Sequence, residues 1–142
     1  RGNIERISMP EQDSIEHSKN YKEVNIGITK EQAIQESHRC LDCPNPTCMD
    51  GCPVGIYIPG FIKHIEKGDF LGAAKVIKQT SALPAVCGRV CPQEKQCEAQ
   101  CIHVKMGKEA VAIGYLERFV ADSVAKIQPI PATSLKGGEF FC

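Results

Sequence analysis

The pattern of apolar and polar residues predicts helices along most of the chain. Apolar positions near 70–80 and 109–127 recur every three or four residues, as they do on the buried face of an α-helix. No stretch has the clear period of two that marks a half-buried strand. We therefore expect an all-α fold.

Capping residues set the start of a first helix. Thr29 is followed three residues later by Gln32, which is the form of a capping box. A helix is predicted from there to about residue 40.

Prolines, glycines and one aspartate set the ends of three further helices. Pro59 suits a helix start, and Gly68 suits the stop. Asp69 can cap the next helix, which is predicted over about 70–80. The longest helix is expected over about 109–127.

The helices and the irregular segments between them divide the chain. We expect an N-terminal arm over 1–28, a helical domain over 29–128, and a linker or tail over 129–142. Within the domain, two loops rich in Cys, Pro and Gly are predicted at 40–57 and 84–108.

Charge and hydropathy exclude several classes of protein. The chain has 142 residues, with 17 Lys and Arg against 17 Asp and Glu. It therefore lacks the basic excess of surfaces that bind nucleic acid or anionic membranes. No apolar run reaches the roughly 20 residues of a membrane span, and no signal peptide is visible. We expect a cytoplasmic protein, and a fragment of a longer polypeptide since Arg1 stands at the start.

Nine cysteines change this picture, because eight of them form two compact groups. The first group is Cys40, Cys43, Cys48 and Cys52, and the second is Cys87, Cys91, Cys97 and Cys101. A proline follows Cys52 and Cys91 directly. Closely spaced cysteines ending in Cys-Pro are the bacterial ferredoxin arrangement, in which the last cysteine binds the other cluster.

Three interpretations of these cysteines compete. Thiolates suit iron, and short spacings let neighbouring sulfurs reach adjacent corners of a [4Fe–4S] cluster. A zinc-stabilised, non-redox interaction domain is the alternative, although the second group lacks the closely spaced pair of a zinc knuckle. Disulfides are the third, weakened by the odd count and by the absence of a secretion signal. The pattern favours an iron–sulfur protein.

The histidines carry less information than the cysteines. His17, His38 and His64 lie in polar contexts and are expected at the surface. His103 follows Cys101 by two residues and is expected to be an ordinary loop histidine. The alternative is that it tunes a cluster by hydrogen bonding.

Glu117 stands out in the last helix. The apolar stripe of that helix is Ile113, Leu116, Val120, Val124 and Ile127. At about 100° per residue, Glu117 falls at the edge of the stripe, while Arg118 and Asp122 point to the other side. A carboxylate at this edge must find a partner. A salt bridge at the rim and a metal ligand both remain open from position alone.

These residues together resemble a known family. The stretches that carry the likeness are 9–13, 40–54, 58–61, 83–92, 97–101 and 111–120. They resemble the N-terminal domain of the NADPH-dependent glutamate synthase small (beta) chain. The same domain occurs in dihydropyrimidine dehydrogenase and in bifurcating ferredoxin–NADP oxidoreductases.

The resemblance implies a small helical domain of the alpha-helical ferredoxin type with two [4Fe–4S] clusters. The implied ligands of the first cluster are Cys40, Cys43, Cys48 and Cys101. The implied ligands of the second are Cys52, Cys91, Cys97 and Glu117. A count of cysteines alone would assign Cys87 in place of Glu117.

The resemblance also implies a place in electron transfer. The clusters would carry electrons between a flavin in a following FAD- and NADPH-binding domain and a redox centre in a partner, such as the large subunit of glutamate synthase. A bifurcating oxidoreductase or a pyrimidine reductase is the alternative parent enzyme. The chain has no Gly-x-Gly, so the flavin and NADPH sites and a complete active site are expected outside it.

Overall fold

The computed structural model describes residues 1–127, and its secondary structure is helical. The helices are α1 (Ser14–His17), α2 (Lys30–Ser37), α3 (Thr47–Asp50), α4 (Ile58–Glu66), α5 (Phe70–Lys78), α6 (Pro84–Val90), α7 (Ile102–Lys105) and α8 (Ile113–Ile127), with a 3₁₀ turn at Gln93–Lys95. In this part of the chain the only extended pairing is one isolated antiparallel bridge, Glu11 to Asn25. The predicted all-α class is confirmed. The predicted tail, 129–142, lies outside the described residues.

The predicted helix caps are present. The Thr29 hydroxyl accepts a hydrogen bond from the Gln32 backbone N–H at 3.2 Å, and the Gln32 side chain accepts one from the Thr29 N–H at 2.9 Å. Asp69 caps α5 by accepting from the Gly72 N–H at 2.8 Å. Gly68 ends the turn after α4 with a φ of 76°, which favours glycine.

The core lies where α4, α5 and α8 meet, with α2 and α6 packed around them. Its fully buried aliphatic and aromatic side chains are Ile58, Phe61, Ile62 and Ile65 of α4, Ala73 and Ile77 of α5, and Leu116 and Val120 of α8. These positions recur every three or four residues, so each helix turns one apolar face inward. The Ile127 side chain of the predicted stripe lies outside the described positions.

The predicted loop at 84–108 is wrong in two places. Pro84 begins α6, and α7 forms after Cys101. Proline suits the first turn of a helix, because the N–H that it lacks has no acceptor there. Cys87 therefore lies on α6, and Cys91 lies at its C-cap.

The last helix begins at Ile113, four residues later than predicted. The segment before it is bound to other parts of the chain instead. Arg39 donates to the carbonyls of Glu109 at 2.6 Å and Ala110 at 2.7 Å, and Glu36 accepts from the Ala112 N–H at 2.8 Å. These bonds hold residues 109–112 in an irregular segment, of which 110–112 are buried.

The N-terminal arm packs against the helical core. The Ile7 N–H donates to buried Glu36 at 3.0 Å, and Arg6 pairs with Glu98 at 2.8 Å. Farther along, Glu23 pairs with Arg118 at 3.0 Å. Arg118, predicted on the side of α8 away from the apolar stripe, is nevertheless only 5 % exposed because the arm covers it. The arm thus fixes the outer side of α8.

No helix within residues 1–127 combines the length and the apolar composition that crossing a bilayer requires.

Candidate iron–sulfur site

The four cysteines predicted to bind the first cluster, called the first set below, line a single cavity. Its lining includes Cys40, Cys43, Cys48 and Cys101. The cavity has an empty volume of about 390 Å³, part of it open to solvent. Apolar side chains of α4 and of the segment before α8 form much of the remaining wall. Four soft ligands around one cavity with a mostly apolar wall are the donor set that a [4Fe–4S] cluster requires.

Short local structures bring these cysteines together. Asp42 adopts a left-handed conformation with a φ of 53°, which lets the chain turn between Cys40 and Cys43. Cys48 lies in α3, and the hydroxyl of Thr47 beside it donates to the Gln100 carbonyl at 2.5 Å. That bond ties the turn bearing Cys48 to the residue before Cys101.

Burial and the charges of neighbouring cysteines favour the protonated form of two of these thiols, Cys40 and Cys48. The pKa of Cys48 is raised to about 12, first by burial and then by the charges of Cys101, Cys40 and Cys43. Burial likewise raises the pKa of Cys40. Positive iron would offset this repulsion and stabilise the thiolates, with release of their protons.

The residues predicted to bind the second cluster, called the second set below, also come together. They meet where the segment that bears Cys52 contacts the segment that bears Cys97. A Cβ on Gly51 would lie 2.5 Å from the Gln96 carbonyl oxygen, so the chain before Cys52 rests directly on the chain before Cys97. The pKa of Cys97 is raised to about 12 by burial, then by the charge of Glu98, then by Cys52. Cys91 joins the same group, since its pKa is raised by burial and also by the charges of Glu117 and Cys52.

Glu117 is a buried carboxylate beside these cysteines. It is 6 % exposed, and its Oε1 has no hydrogen-bond partner among the described residues. Burial raises its pKa to about 7. The salt bridge that one interpretation expected at this position does not form within residues 1–127. A carboxylate oxygen without a partner fits a ligand to a positive centre.

Cys87 lies close to the second set as well. Its charge is the largest influence on the Cys91 pKa after burial. Its own Sγ lies 3.9 Å from the Ser81 hydroxyl. Proximity alone therefore does not decide between Glu117 and Cys87, and the assignment of ligands stays a prediction.

The histidines divide into two kinds. His38 and His64 lie at the surface, where they approach Glu66 and Asp69. The expectation of a loop position for His103 is wrong, because it lies in α7 and is 1 % exposed.

Within residues 1–127, no three His, Cys, Asp or Glu side chains converge closely enough to hold a single metal ion. A [4Fe–4S] cluster does not need such convergence, because each of its irons takes a different protein ligand.

The comparison with protein families matches this arrangement. The model described as dihydropyrimidine dehydrogenase domain II, 4Fe-4S cluster, matches residues 17–128. The chain belongs to this family. Its cofactor is therefore of the iron–sulfur type, as the cysteine spacing predicted.

Relatives of this 4Fe–4S domain are parts of larger oxidoreductases. The glutamate synthase [NADPH] small chain of Halomonas elongata is 40% identical over 106 residues, which are 75% of this chain and 22% of the relative. The NAD-dependent dihydropyrimidine dehydrogenase subunit PreT of Escherichia coli K12 is 39% identical over 115 residues, which are 80% of this chain and 26% of the relative. The chain thus spans about a quarter or less of the relatives it matches.

One contact of the 4Fe–4S domain was not foreseen from its sequence. A Cβ on Gly88 would lie 2.6 Å from the backbone nitrogen of Arg118, so α6 packs directly against α8. The absence of a side chain at Gly88 lets Cys91 approach Glu117. The Cys-Gly sequence within α6 is the signal that could have indicated it.

Gly88→Ala is expected to disturb the second set more than the first. The added methyl group meets backbone, which cannot move aside as a side chain would, so overpacking should cost about 1–3 kcal/mol of unfolding free energy. Iron content and the spin-resonance signal of each cluster would be compared with those of Val86→Ala, on the exposed side of the same helix. Equal effects of the two variants would contradict the packing argument.

Proposed function

We propose that this domain binds two [4Fe–4S] clusters and conducts electrons between them. The ligands of the first are Cys40, Cys43, Cys48 and Cys101, and those of the second are Cys52, Cys91, Cys97 and Glu117. The observation that carries the proposal is the gathering of two separate sets of soft donors in a small helical domain. When bound, each cluster supplies a one-electron redox centre.

The short path between Cys48 and Cys52 supports exchange between the clusters. These ligands of different clusters are four residues apart, and the chain between them is helical through Asp50. Four residues reach at most about 14 Å when fully extended, and this stretch is coiled, so their Cα atoms lie well within that distance. The cluster edges are therefore close to each other.

The protein's own contribution is to bind the clusters and to exclude water. The buried thiols and the apolar wall of the first cavity lower the local polarity. The Glu98 carboxylate accepts from the Gly114 N–H, which fixes the segment beside Cys97 relative to α8. Ligand type, burial and hydrogen bonding are the features by which a protein sets the potential of a cluster.

The parent enzyme that we favour is a glutamate synthase-type oxidoreductase. In this proposal, a following domain of the same polypeptide holds FAD and NADPH, and a large subunit accepts the electrons. The protein lies in the cytoplasm, which keeps its thiols reduced. Support comes from the 40% identity with a glutamate synthase small chain. A dihydropyrimidine dehydrogenase subunit is the second candidate, supported by 39% identity with PreT. Co-purification of the full-length protein with a glutamine-amidotransferase subunit would favour the first.

An apolar face of α6 suits contact with the following flavin domain. Leu83, Val86 and Val90 are 62 %, 48 % and 70 % exposed and lie on one side of this helix, which ends at Cys91. The neighbouring groove is lined in part by the C-terminal half of α8, and in this proposal the flavin domain comes later in the same polypeptide.

Charges on this face should slow electron entry. In the full-length enzyme, Val90→Glu is expected to slow reduction of the clusters by NADPH, because a charge must be desolvated in an apolar contact. Iron content should not change. Ile15→Glu, at an exposed position of α1, is the matched control. Unaltered reduction of Val90→Glu would remove this face from the proposal.

The proposed electron transfer can be tested by spin resonance during stepwise anaerobic reduction. Two clusters as close as the Cys48–Cys52 path requires should interact magnetically, so the signal of the fully reduced protein should be broader than the sum of two separate signals. Two independent signals, or a protein that takes up no electrons, would contradict the proposal.

A further inference from the structure

His103 connects two segments that carry ligands of the first cluster. Its ring is buried, and its Nε2 lies 2.9 Å from the carbonyl oxygen of Arg39. A carbonyl can only accept, so Nε2 carries the hydrogen and donates it. Arg39 directly precedes Cys40, and His103 follows Cys101 by two residues. One hydrogen bond therefore spans 64 residues of sequence between neighbours of two ligands.

The acceptor of this bond is itself rigidly held. Arg39 is 2 % exposed, and its guanidinium donates to Glu36 at 2.7 Å and to the carbonyls of Ile4, Glu109 and Ala110. The Arg39 backbone is thus anchored to α2, to the arm and to the segment before α8. A donor bound to such an anchor acquires a fixed position as well.

His103 also forms part of the cavity wall. It lines the same cavity as Cys40 and Cys101. Its second nitrogen, Nδ1, is buried and has no hydrogen-bond partner among residues 1–127. The only bond that the ring makes in this part of the chain is therefore the one that joins the two segments.

We propose that His103 is a positioning residue of the first cluster, whose Nε2–H bond to Arg39 holds Cys40 and Cys101 at the spacing that the cluster requires. The proposal rests on the proposed function. The bond joins two protein groups, so it can hold the two segments together before iron arrives.

Two polar substitutions separate the Nε2 bond from a general effect of polarity. In His103→Gln, the amide nitrogen stands about where Nε2 stands, and it can still donate to Arg39. In His103→Asn, the amide reaches only as far as Nδ1, and the bond is lost. His103→Leu removes both nitrogens, and His64→Leu is a surface control.

The measurements are iron release to a chelator and the midpoint potential of each cluster, in anaerobically purified protein. A Cys43→Ala variant identifies the signal of the first cluster. Removing a residue that orients a ligand weakens metal binding by roughly 10–100-fold, so His103→Asn and His103→Leu should release iron from the first cluster at least about tenfold faster. The second cluster should keep its rate and potential, and His103→Gln and His64→Leu should behave as the unaltered protein does.

Three results would overturn the proposal: unchanged release from His103→Asn, release from His103→Gln as fast as from His103→Asn, or equal loss of both clusters. If His103→Leu does not fold, the comparison of Gln with Asn still decides. An unaltered protein that holds no first cluster would instead contradict the proposed function.

Discussion

Glu117→Ala is expected to release iron from the second cluster and to leave the first intact. The buried carboxylate supplies the fourth ligand in the proposed set, and alanine leaves that iron without this protein donor. Oxygen is a harder donor than thiolate, so this iron should also be the most labile one of the unaltered protein. Iron content and spin resonance of the anaerobic protein would measure the loss.

Matched variants distinguish a ligand from a merely buried acid. Glu117→Gln keeps an oxygen donor but removes a negative charge, so the second cluster should persist at a higher potential. Glu94→Ala, at an exposed position, should change neither cluster. Cys87→Ala should cost only packing, about 1 kcal/mol. If Cys87→Ala lost a cluster while Glu117→Ala kept both, the assignment of Glu117 would be wrong. Cys87 would then take its place, and all eight ligands would be cysteines.

Glu36→Gln is expected to destabilise the whole domain. The Glu36 carboxylate is fully buried and accepts from Arg39 at 2.7 Å, Ala112 at 2.8 Å and Ile7 at 3.0 Å. Neutralising it leaves the buried guanidinium without its counter-charge, which costs about 3–5 kcal/mol of unfolding free energy. Anaerobic urea unfolding followed by circular dichroism would measure the change.

A double-mutant cycle isolates the buried pair. Glu36→Gln combined with Arg39→Met should be less destabilised than the sum of the single variants, because neither charge is then left alone. Removing the exposed Glu16–Lys19 pair should have little effect, since solvent screens it. A Glu36→Gln loss no larger than that of this surface control would show that the buried pair does not hold the arm, α2 and α8 together.

Local signals in the sequence were sufficient for much of the fold. The Thr29 capping box, the Asp69 cap and the Gly68 stop all act within a few residues, so the sequence around them predicted α2, α4 and α5. Pro84 was ambiguous, because proline suits both the residues after a helix and its first turn. The helix α6 that it begins was therefore missed.

Contacts between distant residues account for what the sequence could not predict. Arg118 is covered by the arm, where it pairs with Glu23. The buried ring of His103 donates to the carbonyl of Arg39. No periodicity within α7 or α8 reveals a partner that lies 64 or 95 residues away. The cysteine spacings predicted two compact groups, but the division of ligands between clusters came only from resemblance to the family.

The content of iron, acid-labile sulfide and zinc in anaerobically purified protein tests the central claim most directly. Two [4Fe–4S] clusters require about eight iron and eight sulfide per chain, with no stoichiometric zinc. About four iron and four sulfide would contradict the second cluster, and zinc without sulfide would contradict the iron–sulfur function altogether.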